Sequence, residues 1–257
     1  ACIGVARLVG VARGRRPAAG TRPARAGRYW VAACNVRSHR LEVANAGGNA
    51  GGTAGAVAGV TSGIDGSTRT VIAEVPVGRG PFGAAVNEVL NKIYIGNISA
   101  LNDNSANYRV NNGITVIDGA TYAATPANLD AIAAGPLNVQ QQMAVNTATG
   151  KMYFRVGGAS TTIGVLDGAT NIGTPLPSSL GPVGVIRVNP VLNRVYIGAT
   201  NGLLHVLHGA NDLEIATLTV GGAPPVGGTQ SYLACNRNPG RALFPHFHLN
   251  RHAPPYG

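Results

Sequence analysis

The sequence predicts an all-β chain built from repeated four-stranded antiparallel units, and three observations carry that prediction. Five segments align without gaps, each reading as a strand, a tight turn and a second strand. After each of the first four comes an apolar strand that runs into a glycine-containing turn and a fourth strand. No stretch carries a helical periodicity long enough to compete with these strands.

The aligned segments are AACNVRSHRLEVAN (32–45), AAVNEVLNKIYIGN (84–97), MAVNTATGKMYFRV (143–156), IRVNPVLNRVYIGA (186–199) and LACNRNPGRALFPH (233–246). Asn35, Asn87, Asn146, Asn189 and Asn236 open the turn, where a short amide side chain can bond backbone groups two residues on. Four residues later stand His39, Asn91, Gly150, Asn193 and Gly240, types that tolerate the positive φ such a hairpin requires. A cation follows at the mouth of the second strand: Arg40, Lys92, Lys151, Arg194 or Arg241. Tyr94, Tyr153 and Tyr196 are equivalent further along, so packing between units explains them better than a binding stack. Third strands end in GVTSGIDGST (59–68), GITVIDGAT (113–121), TTIGVLDGAT (161–170) and GLLHVLHGAN (202–211), with His208 in the place of Asp65, Asp118 and Asp167. Those carboxylates read as turn residues rather than catalytic ones. The fourth strands are expected at 70–77, within 122–132, near 171–176 and at 213–220. Glycine-proline connections then lead to the next unit, and Gly78, Gly80 and Gly83 belong to one of them rather than to a dinucleotide loop.

Composition agrees and narrows the classes of function. With 257 residues and 45% hydrophobic content the chain can bury a sizeable core. The formal charge of +10 points at first to an acidic partner. Its distribution does not: residues 1–41 hold nine Arg and no acid, residues 234–257 three Arg and no acid, and the middle eight basic against ten acidic residues. Nucleic-acid binding would therefore rest on the Arg-rich ends, where aromatic interleaving is poor, Tyr29 and Trp30 being the aromatic residues of 1–41, and it is disfavoured. No apolar run is long enough for a membrane-spanning helix. Cys2, Cys34 and Cys235 are too widely spaced for a metal pattern and allow at most one internal disulfide.

Four-stranded antiparallel units recurring every 43 to 59 residues are the mark of propeller blades. The Asn turn, the Tyr-Ile second strand and the V-I-D-G-A-T hairpin resemble the YVTN-type β-propeller repeat proteins over roughly residues 29–245, most closely in units two to four. The resemblance implies a β-propeller exported from a bacterial or archaeal cell, in the periplasm, on the cell surface or outside it. The first-strand Asn residues span 201 positions, which leaves about one blade's length. A single domain of five blades follows, at about 29–78, 79–136, 137–180, 181–222 and 223–257, the last closed by residues 1–28. The alternative is an incomplete or fragmentary seven-bladed propeller.

Candidate binding residues are those that depart from the repeat. Arg187 replaces Ala33, Ala85, Ala144 and Ala234 in a first strand, where packing alone would keep a small side chain. Arg155 replaces Ala44, Gly96 and Gly198 at the end of a second strand, and Arg79 lies in the connection before unit two. Together these guanidinium groups would suit a small anion or a carboxylate-bearing ligand in the axial channel. The polar insertion 98–112 adds Tyr108 and Arg109 as recognition residues on a loop, whereas the Gly/Ala tract 46–59 reads as a linker. His246, His248 and His252 are the metal candidates, since residues two apart on a strand share a face. His205 and His208 point to opposite faces of their strand. No nucleophile elbow, phosphate-binding loop or H-E-x-x-H motif is present. The reading is a non-catalytic binding or assembly scaffold that needs no cofactor, with a protein or cell-surface component as partner. Because related propellers include lactonases and quinone- or haem-associated proteins, an enzyme or redox accessory is the alternative.

Overall fold

The computed structural model describes residues 29–45, 58–98, 113–132, 138–157, 162–181, 183–220, 234–235 and 242–243. The repeat folds as the sequence pattern demands, each unit giving one antiparallel sheet in chain order. The first sheet is β1 (Tyr29–Asn35), β2 (Arg40–Asn45), β3 (Ala58–Asp65) and β4 (Thr70–Arg79). The second is β5 (Pro81–Asn87), β6 (Lys92–Asn97), β7 (Gly113–Asp118) and β8 (Ala124–Pro126). The third is β9 (Asn138–Val145), β10 (Met152–Gly157), β11 (Thr162–Leu166) and β12 (Gly173–Pro175). The fourth is β13 (Val183–Asn189), β14 (Arg194–Ala199), β15 (Leu203–His208) and β16 (Glu214–Thr219). A two-stranded pair, β17 (Ala234–Cys235) and β18 (Ala242–Leu243), lies in the fifth unit. The strands expected within 122–132 and near 171–176 shrink to three residues each, and both end in a proline, which has no N–H to continue a ladder. Among the described residues the sole helical element is a 3₁₀ turn at Ser178–Leu180. No helix among them is long and apolar enough to cross a membrane.

First strands touch in succession, β1 against β5, β5 against β9, β9 against β13 and β13 against β17, so they line a common centre while fourth strands lie outermost. The first strand of each four-stranded sheet carries a bulge or irregularity, near the N-terminal end in β1, β5 and β13 and at residues 140–142 in β9. The sheets pack face to face through three apolar layers. Ala44, Val75 and Val77 of the first sheet meet Ile93, Ile95 and Ile117 of the second. Tyr94, Ile114 and Val116 meet Met152, Phe154 and Val156 of the third. Tyr153, Ile163 and Val165 then meet Ile186, Val195 and Ile197 of the fourth. Burying each such side chain stabilises the fold by about 1.5–3 kcal/mol. Glycine sets how closely sheets approach: a Cβ on Gly96 would come within 2.8 Å of Val139 Cγ1 and 2.9 Å of Met143 Sδ. This propeller-like arrangement agrees with the expected class. The proposed fifth blade, its closure by residues 1–28 and the count of blades fall largely outside the described residues.

Candidate functional site

The recurring polar residues are engaged in holding neighbouring sheets together. Asn87 Oδ1 accepts from the backbone N–H of Val89 and Leu90, both at 3.1 Å, and Asn35 and Asn189 do the same in their own turns. The amide nitrogen then reaches the next sheet: Asn35 Nδ2 donates to Asn91 Oδ1 (3.1 Å), Asn87 Nδ2 to the Gly150 carbonyl (3.3 Å) and Asn146 Nδ2 to Asn193 Oδ1 (2.7 Å). Its targets are the turn residues expected at positive φ, and His39, Asn91, Gly150 and Asn193 do take φ values of 50° to 77°. In the first three units one short amide thus closes its own turn and fastens the following one.

The recurring cations make the second fastening. Arg40 donates to the Gly119 carbonyl, Lys92 to the Gly168 carbonyl and Asn171 Oδ1, and Lys151 to the Ala210 carbonyl and Asp212 Oδ2. Every acceptor lies in the third-to-fourth-strand turn of the next sheet. Asp65, Asp118 and Asp167 build those turns, each accepting two backbone N–H groups at 2.8–2.9 Å, which holds their carboxyls below the usual range. His208 substitutes with one bond, from Ala210 N–H to Nδ1 at 3.3 Å. Tyr153 adds a third fastening by donating to Asp212 Oδ1 at 2.7 Å. Burial, and then the Asp212 carboxylate, push its phenol far above the ordinary range. Tyr94, buried in the preceding joint, is pushed up to about 12 by burial.

Two arginines stand outside this scheme, Arg155 on the second strand of the third sheet and Arg187 on the first strand of the fourth. On β10, Tyr153 faces the fourth sheet and Phe154 the second, so Arg155 shares the side of Tyr153 and pairs in register with Ile163. The register between β9 and β10 breaks between Phe154↔Met143 and Val156↔Val139, so that residues 140–142 oppose Arg155 alone. Gln142 from that irregular stretch meets Arg187 of β13 across the joint, Arg187 Nη1 donating to Gln142 Oε1 at 3.4 Å and to the Ile186 carbonyl at 2.7 Å. Arg155 is half-buried, and its Nε is buried without an acceptor. Burial lowers its guanidinium pKa from the ordinary value. Among the described residues no carboxylate forms an ion pair with Arg155 or Arg187. Each guanidinium therefore offers hydrogen-bond donors with no acid among the described residues to neutralise it, which is the chemistry that an anion would meet. Arg79 ends β4 at the joint of the first and second sheets. Tyr108, Arg109, His246, His248 and His252 lie outside the described residues.

Sequence reasoning singled out the two arginines as departures from the repeat but not Gln142, whose placement depends on the irregular register of β9. The signal for it was the longer step into the third unit, where QQQ precedes the aligned segment. It also did not single out the pair His205 and Glu214, in which the imidazole Nδ1 lies 2.7 Å from Oε1. Hydrogen bonds from Thr217 and then His205 lower the Glu214 pKa. Among the described residues no group of three His, Cys, Asp or Glu side chains is placed to hold a metal ion.

No family model and no curated protein matches the chain. Among solved structures it is similar to dihydro-heme d1 dehydrogenase NirN in complex with DHE, with a TM-score of 0.58 over 83% of this chain and 13% sequence identity. The chain spans 41% of the length of that protein. Such a likeness shows a propeller-like all-β fold and nothing of the site.

Proposed function

We propose that this protein is a non-catalytic, exported propeller that works as a binding or assembly scaffold, and that the Arg155, Gln142 and Arg187 cluster is where it takes an anionic group. The observation that carries the reading is that Arg155 and Arg187 have no carboxylate partner among the described residues, Arg155 having a buried, unpaired Nε and Arg187 reaching Gln142 of the third sheet. The fastening role of the recurring Asn, cation, Asp and Tyr residues supports the scaffold reading, because most of the repeat's own polar chemistry is occupied by structure. The occupant is a carboxylate or similar anion, carried by a small molecule or presented by a protein or cell-surface component. A ring of five sheets, with residues 223–257 and 1–28 forming the fifth, is part of the same proposal and is supported by the contact of β13 with β17.

The test is calorimetric titration with acetate, succinate, citrate and inorganic phosphate, repeated on Arg155→Ala and Arg187→Ala. Removing one charge-assisted donor should weaken binding by roughly 1.5–3 kcal/mol, about ten- to hundredfold. Equal affinity in wild type and both variants would overturn the site. The likeness to dihydro-heme d1 dehydrogenase NirN supports a second reading, a redox accessory that carries a haem-type group. An absorption spectrum of the purified protein, before and after addition of haem, separates the two: a stoichiometric visible band would sink the scaffold reading.

A further inference from the structure

The joint between the first two sheets breaks the repeat at two facing positions. At the joint of the third and fourth sheets a strand tyrosine, Tyr153, meets a turn acid, Asp212. At the first joint the two types are exchanged: Glu42 occupies the tyrosine place on β2, and Tyr122 occupies the Asp212 place in the turn between β7 and β8. Both turn residues hold left-handed backbone, Tyr122 at φ 62° and Asp212 at φ 61°, so the exchange is one of side chain and not of geometry.

The exchange moves the acid from a turn that a lysine can reach to the middle of a buried strand. Glu42 is 1% exposed. Its Oε1 accepts from the Tyr122 hydroxyl at 3.5 Å, and its Oε2 is buried with no partner. Arg40, two residues earlier on β2, does not pair with it. That guanidinium lies over the Tyr122 ring, 5.4 Å from its centroid, and donates to the Gly119 carbonyl. In register with Glu42 are Ala33 on β1 and Gly63 on β3, and Gly63 leaves the room that the Tyr122 ring fills. Thr61 pairs with Ala44 on the same face, diagonal to Glu42, and its Oγ1 is likewise buried without a partner. From the second sheet Ala84, Val86 and Ile93 line this layer. Arg40 and Tyr122 are thus the charged or titratable groups that act on Glu42, and β1, β3, β5 and β6 contribute none.

We propose that Glu42 is a proton-operated latch on this joint. With its proton on, the carboxylic acid donates to Thr61 Oγ1 and accepts from Tyr122, so both orphaned oxygens are satisfied and the sheets are tied. With its proton off, the joint holds a buried charge without a cation, and it loosens. Burial pushes the Glu42 carboxyl up to about 7, so the switch falls in the neutral range. The sign follows from the raised value: the contribution is full below the ordinary glutamate range and is lost as pH rises through about 7. This inference is independent of the anion site, which lies two joints away.

The test is amide hydrogen exchange on the full chain, corrected for intrinsic rates, from about pH 5 to about pH 9, on wild type, Glu42→Gln and Thr61→Val. The wild-type amides of Gly119 and Tyr122 should lose roughly tenfold of their protection per pH unit between the ordinary glutamate range and about pH 7, and level off above it. Those of Gly209 and Asp212, in the turn that faces Tyr153, should show no such step. Glu42→Gln should remove the pH step, and Thr61→Val should move its midpoint to lower pH, because the protonated form loses its acceptor. A Glu42 carboxyl carbon resonance that titrates in the ordinary glutamate range would overturn the latch, as would a step that persists in Glu42→Gln or appears equally at both joints.

Discussion

Asp212 is the single residue at which the fastening scheme is most concentrated, and its removal gives the scheme a quantitative test. Its carboxylate accepts from Lys151 Nζ at 2.6 Å and from the Tyr153 hydroxyl at 2.7 Å, both from the preceding sheet. The ion pair is only about one-fifth exposed on either side, so solvent screens it less than a surface pair. Hydrogen bonds to a charged group contribute about 1.5–3 kcal/mol each, and a buried phenol left without its acceptor adds a desolvation cost. The Gly209 carbonyl, 3.3 Å from the same hydroxyl, offers a partial replacement. Asp212→Ala should therefore destabilise the protein by about 3–4 kcal/mol. In a double-mutant cycle with Tyr153→Phe the coupling should be about 1.5–2 kcal/mol. Urea unfolding of wild type, both single variants and the double variant measures all four corners, provided the slopes agree. Strict additivity would refute the reasoning, since it would mean that the two residues stabilise the fold without sensing each other.

Other consequences follow from the same geometry. Gly96→Ala should cost about 1–3 kcal/mol in thermal unfolding, because the added Cβ meets Val139 and Met143 in the next sheet. The equivalent Arg155→Gly should be tolerated structurally while it removes anion affinity. Asp65, Asp118 and Asp167 hold depressed carboxyl pKa values in their turns, so their contribution is present above the ordinary carboxylate range and lost as pH falls through the depressed values. An acid titration of circular dichroism should accordingly show unfolding at low pH, and Asp118→Asn should blunt it. Glu42 acts with the opposite sign, so Glu42→Gln should raise stability at pH 8 relative to wild type and leave it unchanged at pH 5.

Most of the sheet topology was legible because the turn residues are specific. An Asn followed four residues later by a type that accepts positive φ fixes a hairpin, and the apolar alternation around it fixes the register. The direction of the fastening was not legible. Asn87 looks like a turn residue from its own segment, and only the stacking of sheets shows its second bond to Gly150. Lys92 likewise reads as an exposed cation until the next sheet's Gly168 turn is placed beneath it. Short outer strands β8 and β12 were blurred because strand length there is ended by Pro126 and Pro175 rather than by a periodic signal. At the candidate site, Arg155 and Arg187 were visible as departures from small residues. The bond from Arg187 to Gln142 depends on the irregular pairing of β9, which no residue type announces. Glu42 was visible as a departure from tyrosine, but its partner Tyr122 lies 80 residues away.

The account rests on the claim that the repeat's polar residues are consumed in fastening sheets and that Arg155 and Arg187 are left to meet an anion. Crystals soaked in sodium bromide, with data collected at the bromine edge, test that claim directly. The account predicts an anomalous peak within hydrogen-bond distance of the Arg155 or Arg187 guanidinium at the joint of the third and fourth sheets. A carboxylate of the chain itself closed onto both arginines, with no peak there, would contradict it.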